Sequence, residues 1–349
     1  MKKRVLAIVL AIALISALAL TGCGTSTAPA AGTTDAAPTT GAKTEPVVLK
    51  LSHSLAESLP AHQAFLNFAS NVEEKTNGAV KVDVYANAQL GDEREVFEGM
   101  QLGTVDFAYV STGVVANFVN DFHLFDAPFL FADTDAAFAV CDSEIGQQLA
   151  DELESTQNVK LIGYMDVGGR NIFSTKPIRS IDDLKGLKIR VMENDLHIAL
   201  FNTLGAQATP MAFSELYTAL QQGTVDAGEN ALQGIVSSGF AEICKNIAIT
   251  NHIYAINIFG MGVKTLDKIP EEYRQIVLDE AWNCVLEERE MIAEANSSAV
   301  DALVNDYGCE VVTIDHDALV EAVQPVYEQF KDTLPQDLIT AAQEYLASK

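Results

Sequence analysis

Positive charge in this 349-residue chain is scarce and unevenly distributed. Six of its 22 Lys and Arg residues fall between residues 161 and 200, against five acids, while the rest of the chain is strongly acidic. Arg190 lies inside the strand-like stretch LKIRVM, and Arg170 follows a Gly-Gly pair, where the backbone can bend or approach a ligand. A guanidinium group binds a carboxylate through two parallel hydrogen bonds. Both arginines are therefore candidates for anion binding, with ordinary surface or salt-bridged arginines as the alternative.

The sequence offers little support for an enzyme. It contains none of the G-x-S-x-G, H-E-x-x-H, P-loop or strand-following G-x-G-x-x-G patterns. Its six histidines are scattered, and none has a second ligand at metal spacing. Carboxylates are numerous, but nothing in their pattern singles out a catalytic pair. We therefore expect a protein without catalytic activity, metal or cofactor.

The N-terminus is typical of an exported lipoprotein. A basic start at residues 2–4 precedes an apolar run over residues 5–20 and the sequence LTGC, which is the order of a secretory signal peptide. LTGC resembles a bacterial lipobox, which implies cleavage after residue 22 and a diacylglycerol group on Cys23. Residues 23–46 are small, polar and Pro-containing, and they predict a disordered tether. An ordinary signal peptide that contains a cysteine is the alternative.

The chain beyond Val47 predicts an acidic domain outside the cytoplasm. The formal net charge of −26 argues against nucleic acid as a partner, because phosphates are bound by basic surfaces.

Four cysteines remain after Cys23, at positions 141, 244, 284 and 309. Outside the cell they could form up to two disulfides, and buried free thiols are the alternative.

Short apolar strands alternate with amphipathic helices beyond Val47, which is typical of parallel sheets with helices on their faces. The strand-helix order of residues 47–111 returns after residue 159. Within it, EVFEGMQLGTVDFA (95–108) aligns with ELYTALQQGTVDAG (215–228), with six identities in fourteen positions. Each copy predicts a helix that ends at Gly and a strand that begins with Val-Asp. We interpret the repetition as two lobes of similar local construction, with coincidence as the alternative.

The C-terminal part has a different pattern. No Gly or Pro occurs from Glu271 to Tyr307, and apolar residues recur there at helical spacing. Such a length is unusual for a globular helix. We expect this helix to brace more than one lobe.

Several stretches resemble the signature segments of the solute-binding proteins of TRAP transporters, specifically the dicarboxylate-type (DctP-like) family. They are LKGLKIRVMENDLH, LGAQATPMAFSELYTALQQGTVDAGENAL, TNH, ANAQLGDEREVFEGMQLGTVDFAYVS and FDAPFLF. The resemblance covers essentially the whole chain from Val47. It implies an α/β, two-lobed periplasmic-binding-protein-like fold with a hinge and a long helix spanning both lobes. Such a protein closes around a small organic acid and delivers it to membrane subunits.

The resemblance also implies which residues hold the ligand. Arg190 matches the family's signature arginine, which grips the ligand carboxylate, and Arg170 matches a second arginine near the same anion. Asn230 matches a hydrogen-bonding asparagine, and Phe213 matches an aromatic residue that packs on the ligand. One departure is Ala231, where many members have Pro, and it makes that turn less rigid.

Further positions match places that vary with the ligand. Glu93 and Ser111 are of this kind, and His53 and Glu57 in the first strand-helix loop are additional candidates. These acids and hydroxyls suggest ligand hydroxyl groups, which favours a sugar acid over a plain dicarboxylate.

The two lobes are expected at residues 47–167 plus 256–295 and at residues 168–255 plus 296–349, in a monomer. Two rival functions stay open at this point. One is a binding protein for an ATP-driven importer, and the other is a lipid-anchored enzyme on a similar scaffold.

Overall fold

The structure, a computed structural model, describes residues 45–349. The expected signal peptide, the lipidation site Cys23 and all but the last two residues of the expected tether lie outside the described residues.

Strands and helices alternate along most of the described chain. The strands are β1 (Val47–Ser52), β2 (Val80–Tyr85), β3 (Phe107–Ser111), β4 (Val159–Ser174), β5 (Lys188–Val191), β6 (Gln207–Pro210), β7 (Ala227–Ala231), β8 (Asn246–Ile249), β9 (Tyr254–Gly262) and β10 (Glu310–Thr313). The α-helices are α1 (Pro60–Lys75), α2 (Glu93–Leu102), α3 (Thr112–Val115), α4 (Thr134–Cys141), α5 (Glu144–Gln157), α6 (Asp195–Thr203), α7 (Leu216–Gln221), α8 (Leu232–Ser237), α9 (Phe240–Ile243), α10 (Thr265–Lys268), α11 (Glu271–Asn305), α12 (His316–Ala322), α13 (Gln324–Gln329) and α14 (Gln336–Ala347). Short 3-10 helices occupy Asn120–Asp126, Ile181–Leu184 and Phe213–Glu215.

The strands lie in the order β2-β1-β3-β9-β4-β7-β5-β6, with β8 beside β4 and β10 beside β8. β1 pairs in parallel with β2 and β3, and β5 pairs in parallel with β6 and β7, so both predicted parallel groups are present. The 16-residue strand β4 joins the two groups. Its residues 159–169 pair with β9 and its residues 170–174 pair with β7, both antiparallel. The pattern of the stretch VKLIGYM (159–165) predicts only the first part of this strand.

The duplicated GTVD sequence builds the same corner twice. The Gly of each copy ends a helix with a positive φ, 82° in the first copy and 69° in the second. Asp106 Oδ2 accepts a hydrogen bond from the backbone amide of Lys50 in β1 (2.9 Å), and Asp226 Oδ2 accepts one from Lys188 in β5 (3.3 Å). Neither aspartate lines the cleft described below. The repeat is therefore a structural corner. Some of the residues that line the cleft come from the strand that follows each copy.

The predicted long helix is α11, which runs for 35 residues. It packs against α1, β4 and α8. Val277 and Val285 belong to the apolar core around β1 and α1, whereas Leu303 belongs to the core around α7 and α9. One helix thus contacts both halves of the fold. At the C-terminus, α13 packs against α6 and α14 packs against α4 and α5.

The four cysteines of the described chain, Cys141, Cys244, Cys284 and Cys309, are buried free thiols. The sequence was compatible with disulfides and with buried free thiols, and the structure has free thiols. No helix within residues 45–349 combines the length and the apolar character needed to cross a bilayer.

Candidate functional site

A cleft lies where the ends of β3 and β7 meet β5 and the middle of β4. It has a volume of about 690 Å³, including its open mouth. Six of the eight predicted ligand residues line it: Arg170, Arg190, Asn230, Phe213, Glu93 and Ser111. Strand ends in α/β proteins commonly hold ligands in this way.

Arg190 presents a buried positive charge at this cleft. It lies in β5, and only 3% of its surface is exposed. Its Nε donates to the carbonyl of Met211 (2.8 Å), and its guanidinium stands over the ring of Phe213, 5.8 Å from the ring centroid. No carboxylate oxygen among the described residues lies within 4.0 Å of its nitrogens. Burial lowers the pKa of Arg190 to about 10, which leaves it charged at neutral pH.

Arg170 is equally buried but already has a partner. Both carboxylate oxygens of Glu229 accept hydrogen bonds from its guanidinium, from Nη2 to Oε1 at 2.7 Å and from Nε to Oε2. The Nε2 of His252 lies 3.3 Å from Oε2 of the same carboxylate. Burial opposes ionisation of Glu229, but the Arg170 charge and these hydrogen bonds hold its pKa below the usual range. Arg170 thus has a carboxylate in direct contact, whereas the carboxylates that act on Arg190, those of Glu229, Glu93 and Asp92, lie farther away.

The opposite wall of the cleft is polar and acidic. Glu93, at the start of α2, accepts hydrogen bonds through Oε2 from the backbone amide of Ser111 (3.1 Å) and from its hydroxyl. Burial raises the pKa of Glu93, and the neighbouring carboxylate of Asp92 adds to the effect. On the arginine side of the cleft, Asn230 of β7 uses Oδ1 to accept from the backbone amide of Ala231 (2.8 Å), and its Nδ2 makes no hydrogen bond within residues 45–349. That amide nitrogen remains available to a ligand.

Three hydrogen bonds, from two pairs of residues, cross the mouth of the cleft. Asp92 Oδ2 accepts from the hydroxyl and the backbone amide of Ser214, which directly follows Phe213. The hydroxyl of Ser58 donates to the carbonyl of Ser237 (2.7 Å). Ser58 and Asp92 belong to the elements before β4, and Ser214 and Ser237 belong to those after β5, so the contacts join the two sides of the cleft directly.

His53 and Glu57 do not line the cleft. The His53 side chain is fully buried, where its Nε2 lies 3.0 Å from Nδ1 of His62 and its ring packs against Phe65. Burial, together with His62, lowers the pKa of His53 to about 3. Glu57 is exposed on the loop before α1. The loop that carries them is near the cleft, but the His53 side chain is buried in the core and the Glu57 side chain is exposed to solvent.

Comparison with known proteins decides the family. The profile of the DctP family, described as bacterial extracellular solute-binding protein, family 7, matches residues 51–333. The chain belongs to this family. A solute-binding protein from Verminephrobacter eiseniae is 37% identical over 284 residues, which cover 81% of this chain and 84% of the relative.

Solved structures of DctP-family proteins share the two-lobed fold. The sugar acid binding protein DctPAm from Advenella mimigardefordensis, solved with galactonate, is 28% identical with a TM-score of 0.83, over 87% of this chain and 99% of that chain. A TRAP periplasmic solute binding protein from Shewanella oneidensis, solved with succinate, is 28% identical with a TM-score of 0.82, over 86% of this chain and 99% of that chain. The chain is thus a TRAP solute-binding protein, and the rival ATP-driven importer is not supported. The family is one of transport proteins rather than enzymes.

Several cleft residues escaped the sequence analysis. Glu229 binds Arg170 and His252 contacts the Glu229 carboxylate, and the cleft is also lined by Tyr109, Gln233 and Asn257. Glu229 directly precedes Asn230 in the GENA segment, which is the one signal that could have drawn attention to it. Tyr109 and His252 lie in the quoted family segments that end in DFAYVS and TNH, whereas Gln233 and Asn257 lie in stretches whose pattern predicts only a helix or a strand.

Proposed function

We propose that Arg190 binds the carboxylate of a small organic acid in the cleft, and that this contact captures the solute for the TRAP membrane subunits. The observation that carries the proposal is the buried Arg190 guanidinium, which has no carboxylate partner among the described residues. A buried charge is normally paired. A bound carboxylate would pair it, and the guanidinium geometry allows two parallel hydrogen bonds to one carboxylate.

The neighbouring side chains fit supporting roles. Phe213 stacks beside the Arg190 guanidinium and restricts its orientation, and Asn230 offers a free Nδ2 donor. Arg170 adds positive potential, although Glu229 balances most of it. His53 and Glu57 lie outside the lining, so we leave them out of the proposed contact set.

The charge distribution favours a sugar acid over a dicarboxylate as the ligand. Arg190 is a single unpaired cation, while Asp92, Glu93 and Glu193 add carboxylates to the same cleft. A second carboxylate on the ligand would face these acids, and like charges at short range repel each other. A hydroxyl can instead donate to the Glu93 carboxylate. Structures of similar proteins have been solved with the sugar acid galactonate and with the dicarboxylate succinate. The comparisons are therefore compatible with either class of ligand.

Closure of two lobes would strip water from the bound carboxylate and strengthen its pairing with Arg190. We propose the lobe limits 47–167 plus 256–295 and 168–255 plus 296–349. Support comes from β4, whose pairing changes from β9 to β7 between residues 169 and 170. A bulge interrupts the β4–β9 ladder just before this point, and Gly168 has a φ of 102°. This stretch is a suitable hinge.

We also propose that the protein is a monomer anchored outside the cytoplasmic membrane by a lipid on Cys23. The support is the lipobox-like LTGC sequence and the polar residues after it. Detergent phase partitioning of cell extracts tests the anchor. The parent chain should enter the detergent phase, and the Cys23→Ser variant should leave it; equal partitioning of both would contradict lipidation.

A thermal-shift screen of an organic-acid library tests the function. Ligands that bind the native state raise the melting temperature, and calorimetry then measures the dissociation constant of each hit. We expect hits among small carboxylates, with sugar acids ahead of dicarboxylates, and none among neutral sugars. Incubating the best hit with the protein, followed by mass analysis, should recover it unchanged, whereas a turnover product would favour the enzyme alternative.

A further inference from the structure

Gln233 carries an unpartnered polar group at the cleft. It is the second residue of α8, it lines the cleft, and only 4% of its surface is exposed. Its Oε1 is buried and has no hydrogen-bond partner among residues 45–349. The side-chain nitrogen makes no hydrogen bond in the described chain either, so exchanging the two amide atoms would leave the group equally unpaired.

The backbone around Gln233 is fixed. Its amide donates to Oδ1 of Asn296 in α11 (3.3 Å), and Nδ2 of Asn296 donates to the carbonyl of Val167 in β4 (3.0 Å). The hydroxyl of Ser237 donates to the Gln233 carbonyl (2.7 Å). These contacts hold the first turn of α8 against the segment proposed as the hinge, which fixes the backbone position from which the buried Gln233 side chain extends.

Leaving a buried amide unpaired is costly, and an apolar residue at this place would avoid that cost. The amide therefore requires a partner that enters the cleft. A ligand hydroxyl can pair with the buried amide atom in either orientation of the amide, because a hydroxyl both donates and accepts hydrogen bonds. A carboxylate only accepts, so it cannot pair with Oε1 in the orientation that the structure shows.

We infer that Gln233 is a specificity-determining residue, which accepts a hydrogen bond from a hydroxyl group of the bound acid and selects hydroxy acids over hydroxyl-free dicarboxylates. The inference rests on the proposed function, since it assumes that Arg190 holds the carboxylate of the same ligand. A site built to bind a hydroxyl group discriminates strongly against analogues that lack one, because its polar groups are then left unpaired.

The test compares Gln233→Met with its parent by calorimetry, using galactonate, glucuronate, erythronate and succinate as probes. Methionine has a similar length and cannot accept the hydrogen bond. Gln222→Met, at an exposed glutamine just after α7, is the matched control. We expect Gln233→Met to weaken binding of the tightest hydroxy acid at least about tenfold, with the melting temperature of the unliganded protein preserved or raised and the control unaffected. Any succinate binding should change less than about twofold.

Three results would overturn the inference. They are an unchanged hydroxy-acid affinity in Gln233→Met, an equal loss for hydroxy acid and succinate, and a parent protein that binds succinate but none of the hydroxy acids. In each case Arg190→Ala in parallel reports on the proposed function separately, because that variant should lose every carboxylate probe. If the parent binds no probe at all, the proposed function fails together with the inference.

Discussion

Arg170 and Glu229 form a buried, bidentate ion pair between β4 and β7, directly beside a second buried arginine that has no such partner. The Nη2–Oε1 distance is 2.7 Å, and the exposed fractions of the two side chains are 5% and 0%. Antiparallel pairing of Arg170 with Ala231 places Glu229 diagonally across on the same face of the sheet. The Glu229 carboxylate thus pairs with the Arg170 guanidinium, and Arg190 is the arginine of the cleft that has no carboxylate in contact.

Removing the Glu229 charge should destabilise the protein. In Glu229→Gln the Arg170 guanidinium would be buried without a counterion, and breaking such a pair costs about 3–5 kcal/mol. Urea unfolding should show a decrease of this order in the free energy of unfolding. The control is Glu310→Gln, which breaks the exposed Arg179–Glu310 pair of similar geometry and should leave stability nearly unchanged. Equal effects of the two substitutions would contradict the account.

The buried carboxylate of Asp166 should make stability fall with rising pH. Asp166 is 3% exposed, its Oδ1 has no hydrogen-bond partner among the described residues, and its backbone amide donates to the buried Glu288 carboxylate (3.0 Å). Burial raises the pKa of Asp166 to about 6, whereas an unfolded aspartate titrates near 3.9. The folded protein therefore binds more protons between these values, so stability is lost as pH rises from about 4 through 6.

Asp166→Asn removes this titration. We expect the variant to gain on the order of 1–3 kcal/mol over its parent at pH 8, where the parent carboxylate is ionised. The advantage should shrink toward pH 4, and denaturant unfolding across this range measures it. The exposed Asp182→Asn is the control. A difference between variant and parent that does not change with pH would rule out Asp166 as the titrating group.

The hydrogen bond from Ser214 to Asp92 should slow ligand release. Because it crosses the mouth of the cleft, it opposes separation of the two sides. Its loss in Ser214→Ala should cost about 1 kcal/mol, or about a fivefold loss of affinity, mainly through faster dissociation. Stopped-flow measurements check this, with Ser155→Ala in α5 as a serine that bonds only within its own helix. The same dissociation rate in parent and variant would show that the contact does not limit opening.

Local signals predicted much of this fold. A left-handed Gly103 ends α2, as predicted for the first GTVD copy, and the strand-like stretch around Arg190 is β5. The Arg170–Glu229 pair could not be predicted in this way, because it depends on β4 pairing with β7 across a separation of 59 residues. The inward position of His53 likewise depends on the packing of α1 over β1, which no local pattern reports.

Calorimetry of Arg190→Ala tests the central claim most directly. The titrant is the best organic acid from the screen, and Arg179→Ala, at an exposed arginine, is the control. We predict that Arg190→Ala stays folded, with a cooperative melting transition, and loses affinity by at least about 100-fold, because the ligand carboxylate would be buried without its cation. Binding with the parent's affinity would contradict the assignment of Arg190 as the carboxylate-binding residue.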